Sequence, residues 1–178
     1  MKDRENHFFE LAIKAEALLL GDFTLKTGRK SPYFFNISSF LELGFINELS
    51  NLYANLIKEE NIQFDVIFGP AYKGIPLAAG VATIISGRTS NLVSISFDRK
   101  EEKTHGEGGK IVGSVKGKKV LILDDVLTAG TALNQSINLV REMGGEVVSS
   151  MVALDRDCLL YTSPSPRDLS TSRMPSSA

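Results

Sequence analysis

The chain has 178 residues, of which 43% are hydrophobic and 23% charged, and its formal net charge is −1. That length suits one domain with a sizeable core, and that charge gives no case for nucleic acid or an anionic membrane as a partner. The single cysteine, Cys158, excludes an internal disulfide and fits a reducing compartment.

The opening stretch MKDRENHFFELAIK mixes both charge signs and has no long apolar run. Neither a signal peptide nor a membrane-spanning segment is expected, so the cytoplasm is the default location. Phe8, Leu11, Ala12, Ala15, Leu18 and Leu19 recur at helical spacing and predict a helix over 5–19, ended by Gly21. His7 falls on its polar side. Residues 22–40 are aromatic and turn-rich and predict strands and loops. Helical spacing returns over 46–60, at Ile46, Leu49, Leu52, Tyr53, Leu56 and Ile57.

An alternation follows. DVIFG (65–69) predicts a strand, GIPLAAGVATIIS (74–86) a helix with Pro76 in its first turn, and LVSISF (92–97) another strand. KIVGSV and KKVLIL flank a turn at Lys116–Gly117. ALNQSINLVREMGG (132–145) predicts a helix closed by glycines, and VVSSMVAL (147–154) a last strand. This order predicts an α/β fold, a mainly parallel sheet flanked by helices, with ligands at the carboxyl ends of the strands. Residues 158–178 hold three of the six prolines and, after Tyr161, six serines, without apolar periodicity. They predict a disordered, non-native tail behind a domain of residues 1–157.

The stretch LILDDVLTAGTAL (121–133) carries the chemistry. An apolar run, Val120 to Leu123, meets two adjacent acids, Asp124 and Asp125, and burying carboxylates is costly unless something pairs with them. Two carboxylates can accept hydrogen bonds from neighbouring sugar hydroxyls. The small residues that follow, with a helix beginning near Thr131, can wrap a phosphate in backbone N–H groups. A diol and a phosphate at that spacing point to a ribose 5-phosphate. An acid pair after a strand also serves magnesium binding or phosphoryl transfer in other α/β proteins. GPAYKG (69–74) is a second strand-end loop with a lysine and a helix behind it, suited to a diphosphate. RKEEKTHGEGG (99–109) concentrates cations before three glycines and predicts a mobile segment that gains most by closing on a polyanion.

VLILDDVLTAGTA (120–132) resembles the phosphoribosyl-diphosphate motif of the type I phosphoribosyltransferases. FTLKTGRKSPYFFN (23–36), FGPAYKGIPLA (68–78) and FDRKEEKTHGEGG (97–109) narrow the resemblance to the orotate phosphoribosyltransferase family, over residues 1 to about 157. The resemblance implies the type I phosphoribosyltransferase fold with an N-terminal hood at about 21–40, a lid at about 99–109 and a truncated C-terminal part. It implies phosphoribosyl transfer from phosphoribosyl diphosphate to orotate in pyrimidine biosynthesis. Lys26, Lys103, Asp124 and Asp125 would be the catalytic group. Phosphoribosyl diphosphate would be held by Lys26, Tyr72, Lys73, Arg99, Lys100, Lys103, His105 and the run Asp124, Asp125, Val126, Leu127, Thr128, Ala129, Gly130, Thr131 and Ala132. Orotate would be held by Phe34, Phe35, Thr128 and Arg156, whose guanidinium can grip a carboxylate bidentately. Magnesium (Mg2+) would arrive mainly on the diphosphate rather than on protein ligands. The lid would close over the neighbouring active site of a homodimer.

Overall fold

The computed structural model describes residues 2–24, 28, 30–103, 109–127, 131–155 and 171–172. The first element is helix α1 (Lys2–Lys14), followed by an antiparallel hairpin of β1 (Leu18–Thr24) and β2 (Lys30–Phe35). Helical spacing would carry α1 on to residue 19, but the helix ends at Lys14, and Glu16 turns the chain at φ 50°. Leu18 and Leu19 pair instead with Phe35 and Phe34. The aromatic partner strand wins over local periodicity, since β-propensity reflects packing against cross-strand neighbours. Gly21 lies inside β1 rather than closing a helix.

The short helix α2 (Ser38–Glu42) leads into α3 (Ile46–Glu59), which buries Leu49, Leu52, Tyr53, Leu56 and Ile57 as its periodicity predicts. Next come β3 (Val66–Phe68), α4 (Gly74–Thr89), β4 (Ser94–Lys103), β5 (Gly109–Val112), β6 (Lys119–Leu127), α5 (Thr131–Glu142) and β7 (Glu146–Asp155). Pro76 is the third residue of α4, inside the first turn, where no intrahelical N–H is lost. Gly144, at φ 80°, closes the end of α5. In the tail the described residues Thr171–Ser172 form a two-residue strand, β8, antiparallel to Ser150–Met151.

The large sheet has the order β5-β4-β3-β6-β7-β8. Its β4, β3, β6 and β7 are mutually parallel, while β5 and β8 run antiparallel at the two edges. This is the mainly parallel, helix-flanked α/β sheet that the strand–helix alternation predicts. Both faces are covered, so β3 and β6 read as unbroken apolar runs rather than alternating ones. On one face Ile67, Leu121, Leu123, Met151 and Ala153 pack with α1, α3 and α4. On the other Val66, Phe68, Val120 and Ile122 pack with Leu133, Ile137 and Val140 of α5.

One departure bears on function. The segment from residue 99, expected as a loop, continues β4 as far as Lys103 and turns back as β5, with Lys103 opposite Gly109. Pairing of β4 with β3 stops at Ser96. The cation-bearing part of β4 therefore runs on past the end of β3 as one strand of a hairpin.

A single buried hydroxyl ties the helical layer to the functional end of the sheet. Tyr53 is fully buried on α3, and its hydroxyl donates to the Asp124 carbonyl oxygen at 3.0 Å. Burial, and then the Asp124 and Asp125 carboxylates, push the Tyr53 phenol well above its ordinary range, so it stays a donor. Removing only the hydroxyl, in Tyr53→Phe, should lower unfolding stability by about 1 kcal/mol, the net contribution of a typical buried hydrogen bond. Urea unfolding midpoints compare the two proteins, and an unchanged midpoint would deny the bond its role.

Candidate active site

Register explains how distant segments meet. Phe68 of β3 pairs with Ser96 on one side and Ile122 on the other. Counting two residues onward on each strand sets Pro70, Asp98 and Asp124 at one level, just beyond the end of β3. The loop after β3 is thus flanked by an acid from β4 and an acid from β6.

That loop is drawn tightly together. Gly74 donates its N–H to the Pro70 carbonyl at 2.9 Å, and Gly69 donates to Ser96 at 3.0 Å. A Cβ on Gly69 would lie 2.2 Å from the Gly74 carbonyl oxygen, so only glycine fits there. A Cβ on Gly74 would lie 2.7 Å from the Pro70 ring and 3.0 Å from the Leu123 carbonyl oxygen. These glycines let the turn close and let α4 start against β6. The Ala71–Tyr72 peptide is cis. Ala71 donates its N–H to Asp98 Oδ1 at 2.5 Å.

The acids lie inside β6, beyond the level where β3 ends, and the residues before them, Val120 to Leu123, are fully buried. Asp124 is only 8% exposed. Its Oδ1 accepts the Asp125 N–H, and Asp125 Oδ1 accepts the Val126 N–H, both at 2.8 Å. Asp125 Oδ2 lies 3.5 Å from Lys73 Nζ, which bridges the two strand-end segments. Burial first, and then the neighbouring Asp125 carboxylate, push the Asp124 carboxyl up from 3.8 to about 7. The donated Asp125 N–H opposes that rise, and Asp98 adds to it.

These groups line a cavity of about 460 Å³. Pro70 to Lys73 form one wall, Asp98, Asp124, Asp125 and Val126 the floor, and Ala132, Gln135, Ser136 and Leu139 of α5 the other wall. Two helices, α4 and α5, begin at this end of the sheet, and helix N-termini favour anions. The cavity therefore offers carboxylate acceptors for hydroxyls beside a lysine and N–H donors for phosphates. Among the described residues no three ligating side chains gather into a metal site, and no helix is long and apolar enough to cross a membrane.

A family model described as the phosphoribosyl transferase domain matches residues 40–163. An orotate phosphoribosyltransferase of Stenotrophomonas maltophilia (strain K279a) is 48% identical over 157 residues, which cover 88% of this chain and 71% of that relative. The chain belongs to the orotate phosphoribosyltransferase family. A family member from Kluyveromyces lactis is 48% identical over 166 residues, covering 91% of this chain and 74% of its own. The solved orotate phosphoribosyltransferase of Francisella tularensis shares the fold at a TM-score of 0.73 and 39% identity, covering 85% of this chain and 72% of that one.

Of the residues singled out by family resemblance, Tyr72, Lys73, Asp124, Asp125, Val126 and Ala132 meet at the cavity. Tyr72 is 71% exposed, open to a ligand. Thr131 is exposed at the start of α5, and Leu127 ends β6. Arg99 is half-buried on β4, and the backbones of Lys100 and Lys103 lie further along the same strand. Phe34 and Phe35 part company on alternate faces of β2. Phe35 is buried with its ring 6.0 Å from Phe8 and 6.3 Å from Phe40, while Phe34 is partly exposed and lies 5.6 Å from Phe23. Neither lines the cavity. Lys26, His105, Thr128, Ala129, Gly130 and Arg156 lie outside the described residues.

Sequence reasoning missed Asp98, Gln135 and Ser136. Asp98 was within reach, since LVSISFD closes an apolar run on an acid as VLILDD does. Gln135 and Ser136 sit inside a helix and carry no local signal.

The raised Asp124 carboxyl has a consequence for stability. Between about pH 4 and 7 the folded chain keeps a proton that the unfolded chain has lost. This group's contribution is therefore full below pH 4 and is lost as pH rises toward 7. Asp124→Asn should flatten that fall, by up to roughly 4 kcal/mol across the window. Urea unfolding at pH 4 to 8 measures it, and parallel curves for the two proteins would contradict the assignment.

Proposed function

We propose that the chain transfers a phosphoribosyl group from 5-phosphoribosyl 1-diphosphate to orotate, giving orotidine 5′-phosphate and diphosphate in de novo pyrimidine (UMP) biosynthesis. The observation that carries this reading is the Asp124–Asp125 pair facing Lys73 across one cavity, in a chain of the orotate phosphoribosyltransferase family.

Asp124 and Asp125 hold the ribose hydroxyls and set the anomeric carbon toward the base. The segment 128–132 wraps the 5-phosphate at the start of α5. Lys73, now paired with Asp125, turns to the diphosphate when it arrives. Attack by the base opposite the leaving group inverts the anomeric carbon, through an oxocarbenium-like transition state. Two carboxylates beside that centre stabilise its positive charge, while Lys26, Lys73, Arg99, Lys100, Lys103 and His105 stabilise the departing diphosphate. Phe34, Phe35, Thr128 and Arg156 hold orotate. Phe35 acts through backbone contacts, given its buried ring.

Magnesium would arrive mainly on the diphosphate, and the carboxylates of the cavity suit a cation brought in on substrate phosphates. When bound, it supplies positive charge against the diphosphate.

The hairpin of β4 and β5 supports a homodimer with shared sites. It carries Arg99, Lys100 and Lys103 beyond the end of β3, as an arm directed at a neighbour. Closure of such an arm would exclude water. We place the enzyme in the cytoplasm.

Mixing phosphoribosyl diphosphate, Mg2+ and orotate should lower the orotate absorbance, and other bases should not be consumed. Asp124→Asn with Asp125→Asn should cut turnover by about 100-fold or more, as loss of positioning and charge together imply. Consumption of another base would refute the orotate reading, and near-normal turnover of the double variant would refute the carboxylate roles. Shared sites make a separate prediction. Inactive Lys103→Ala and Asp125→Asn proteins should regain activity when mixed, and no recovery after confirmed subunit exchange would exclude sharing.

A further inference from the structure

We propose that Asp98 is a positioning residue for the diphosphate substrate: its carboxylate fixes the loop 69–74 against β4 and sets that loop relative to the root of the cationic arm. This inference rests on the functional reading above and names a residue outside the expected binding set.

Three observations support it. Asp98 Oδ1 accepts the Ala71 N–H at 2.5 Å, across a sequence separation of 27 residues. That hydrogen bond ties the loop to β4 beyond Ser96, where the strand pairing with β3 ends. On its other side the loop meets β6, through Gly74 packed against the Leu123 carbonyl and through Lys73 paired with Asp125. The loop is therefore held between two acids from two strands, and Asp98 is the one on the arm side.

The chemistry explains why an acid suits this place. A carboxylate accepts a backbone N–H more strongly than a neutral group does. Oriented by it, the Ala71–Lys73 segment presents Tyr72 and the Lys73 ammonium to the cavity. Asp98 is itself an anion near a site for polyanions, so direct contact with diphosphate would be repulsive. Its favourable contribution has to come through the loop. Arg99 follows it directly in the chain, so the bond also couples the loop's position to the arm that delivers the cations.

Asp98→Asn keeps an oxygen acceptor and removes only the charge, whereas Asp98→Ala removes the acceptor. Amide hydrogen exchange by nuclear magnetic resonance on the full chain reads the loop directly, without substrate. The Ala71 amide should exchange slowly in the wild type and in Asp98→Asn, and about tenfold faster or more in Asp98→Ala, the factor a bond of that class implies. Steady-state kinetics read the consequence. Asp98→Ala should raise KM for phosphoribosyl diphosphate about tenfold, with kcat and the KM for orotate changed less than about threefold, and Asp98→Asn should restore most of the loss. Asp98→Ser, too short to reach Ala71, serves as a second variant if Asp98→Ala does not fold. Unchanged Ala71 exchange in these variants, or an equal rise in KM for both substrates, would overturn the proposal. A wild-type chain that binds neither magnesium diphosphate nor orotate would refute the functional reading instead, and amide exchange would still decide whether Asp98 holds the loop.

Discussion

Burying a carboxylate without a partner is expensive, and β6 carries one carboxylate into the interior with a second beside it. Much of the surrounding structure answers that cost. Asp124 receives the next backbone N–H on one oxygen, and Asp125 does the same one residue on. Lys73 comes across from the neighbouring loop to the Asp125 carboxylate, while Tyr53 holds the Asp124 backbone carbonyl from the helical layer. What remains is a carboxyl poised near neutrality. Such a group gains from any ligand that brings hydroxyl donors or positive charge, because both favour its ionised form. The strain of burial and the readiness to bind are one property.

The parallel sheet turns that local fact into a site. β3 ends at Phe68, level with Ser96 and Ile122, while β4 and β6 run on, so its loop emerges between them although the three segments are far apart in sequence. Each brings a different function: a glycine-closed loop with a lysine, an acid at the foot of a cationic hairpin, and an acid pair. The loop after β3 folds back on itself so tightly that Gly69 and Gly74 crowd each other, and Gly74 also meets the Leu123 carbonyl, so neither has room for a side chain. The helices that follow β3 and β6 begin at the same place and add their positive ends.

Much of this was legible in the chain. The apolar run into Asp124–Asp125 marks a buried strand with a costly end, and the Gly-Pro turn with its lysine marks a second strand end. Strand–helix alternation gives the parallel sheet. Less legible were features set by tertiary contact. Leu18 and Leu19 continue a helical pattern but pair with Phe34 and Phe35 instead. The stretch Arg99 to Lys103 reads as the start of a mobile cationic segment, yet it is a strand, because β5 returns to pair with it. Phe34 and Phe35 are adjacent in sequence and similar in kind, and only the pleat of β2 sends one ring inward to Phe8 and Phe40. The bond from Ala71 to Asp98 joins residues whose proximity depends on register alone.

The roles of these parts meet in the placement of the ribose. A crystal structure of the chain with phosphoribosyl diphosphate and Mg2+ would test that placement directly. The predicted result has the ribose hydroxyls within hydrogen-bonding distance of Asp124 and Asp125, the 5-phosphate at the start of α5, and the diphosphate beside Tyr72 and Lys73. A ribose bound elsewhere, with the two acids left to water or to Lys73 alone, would contradict it.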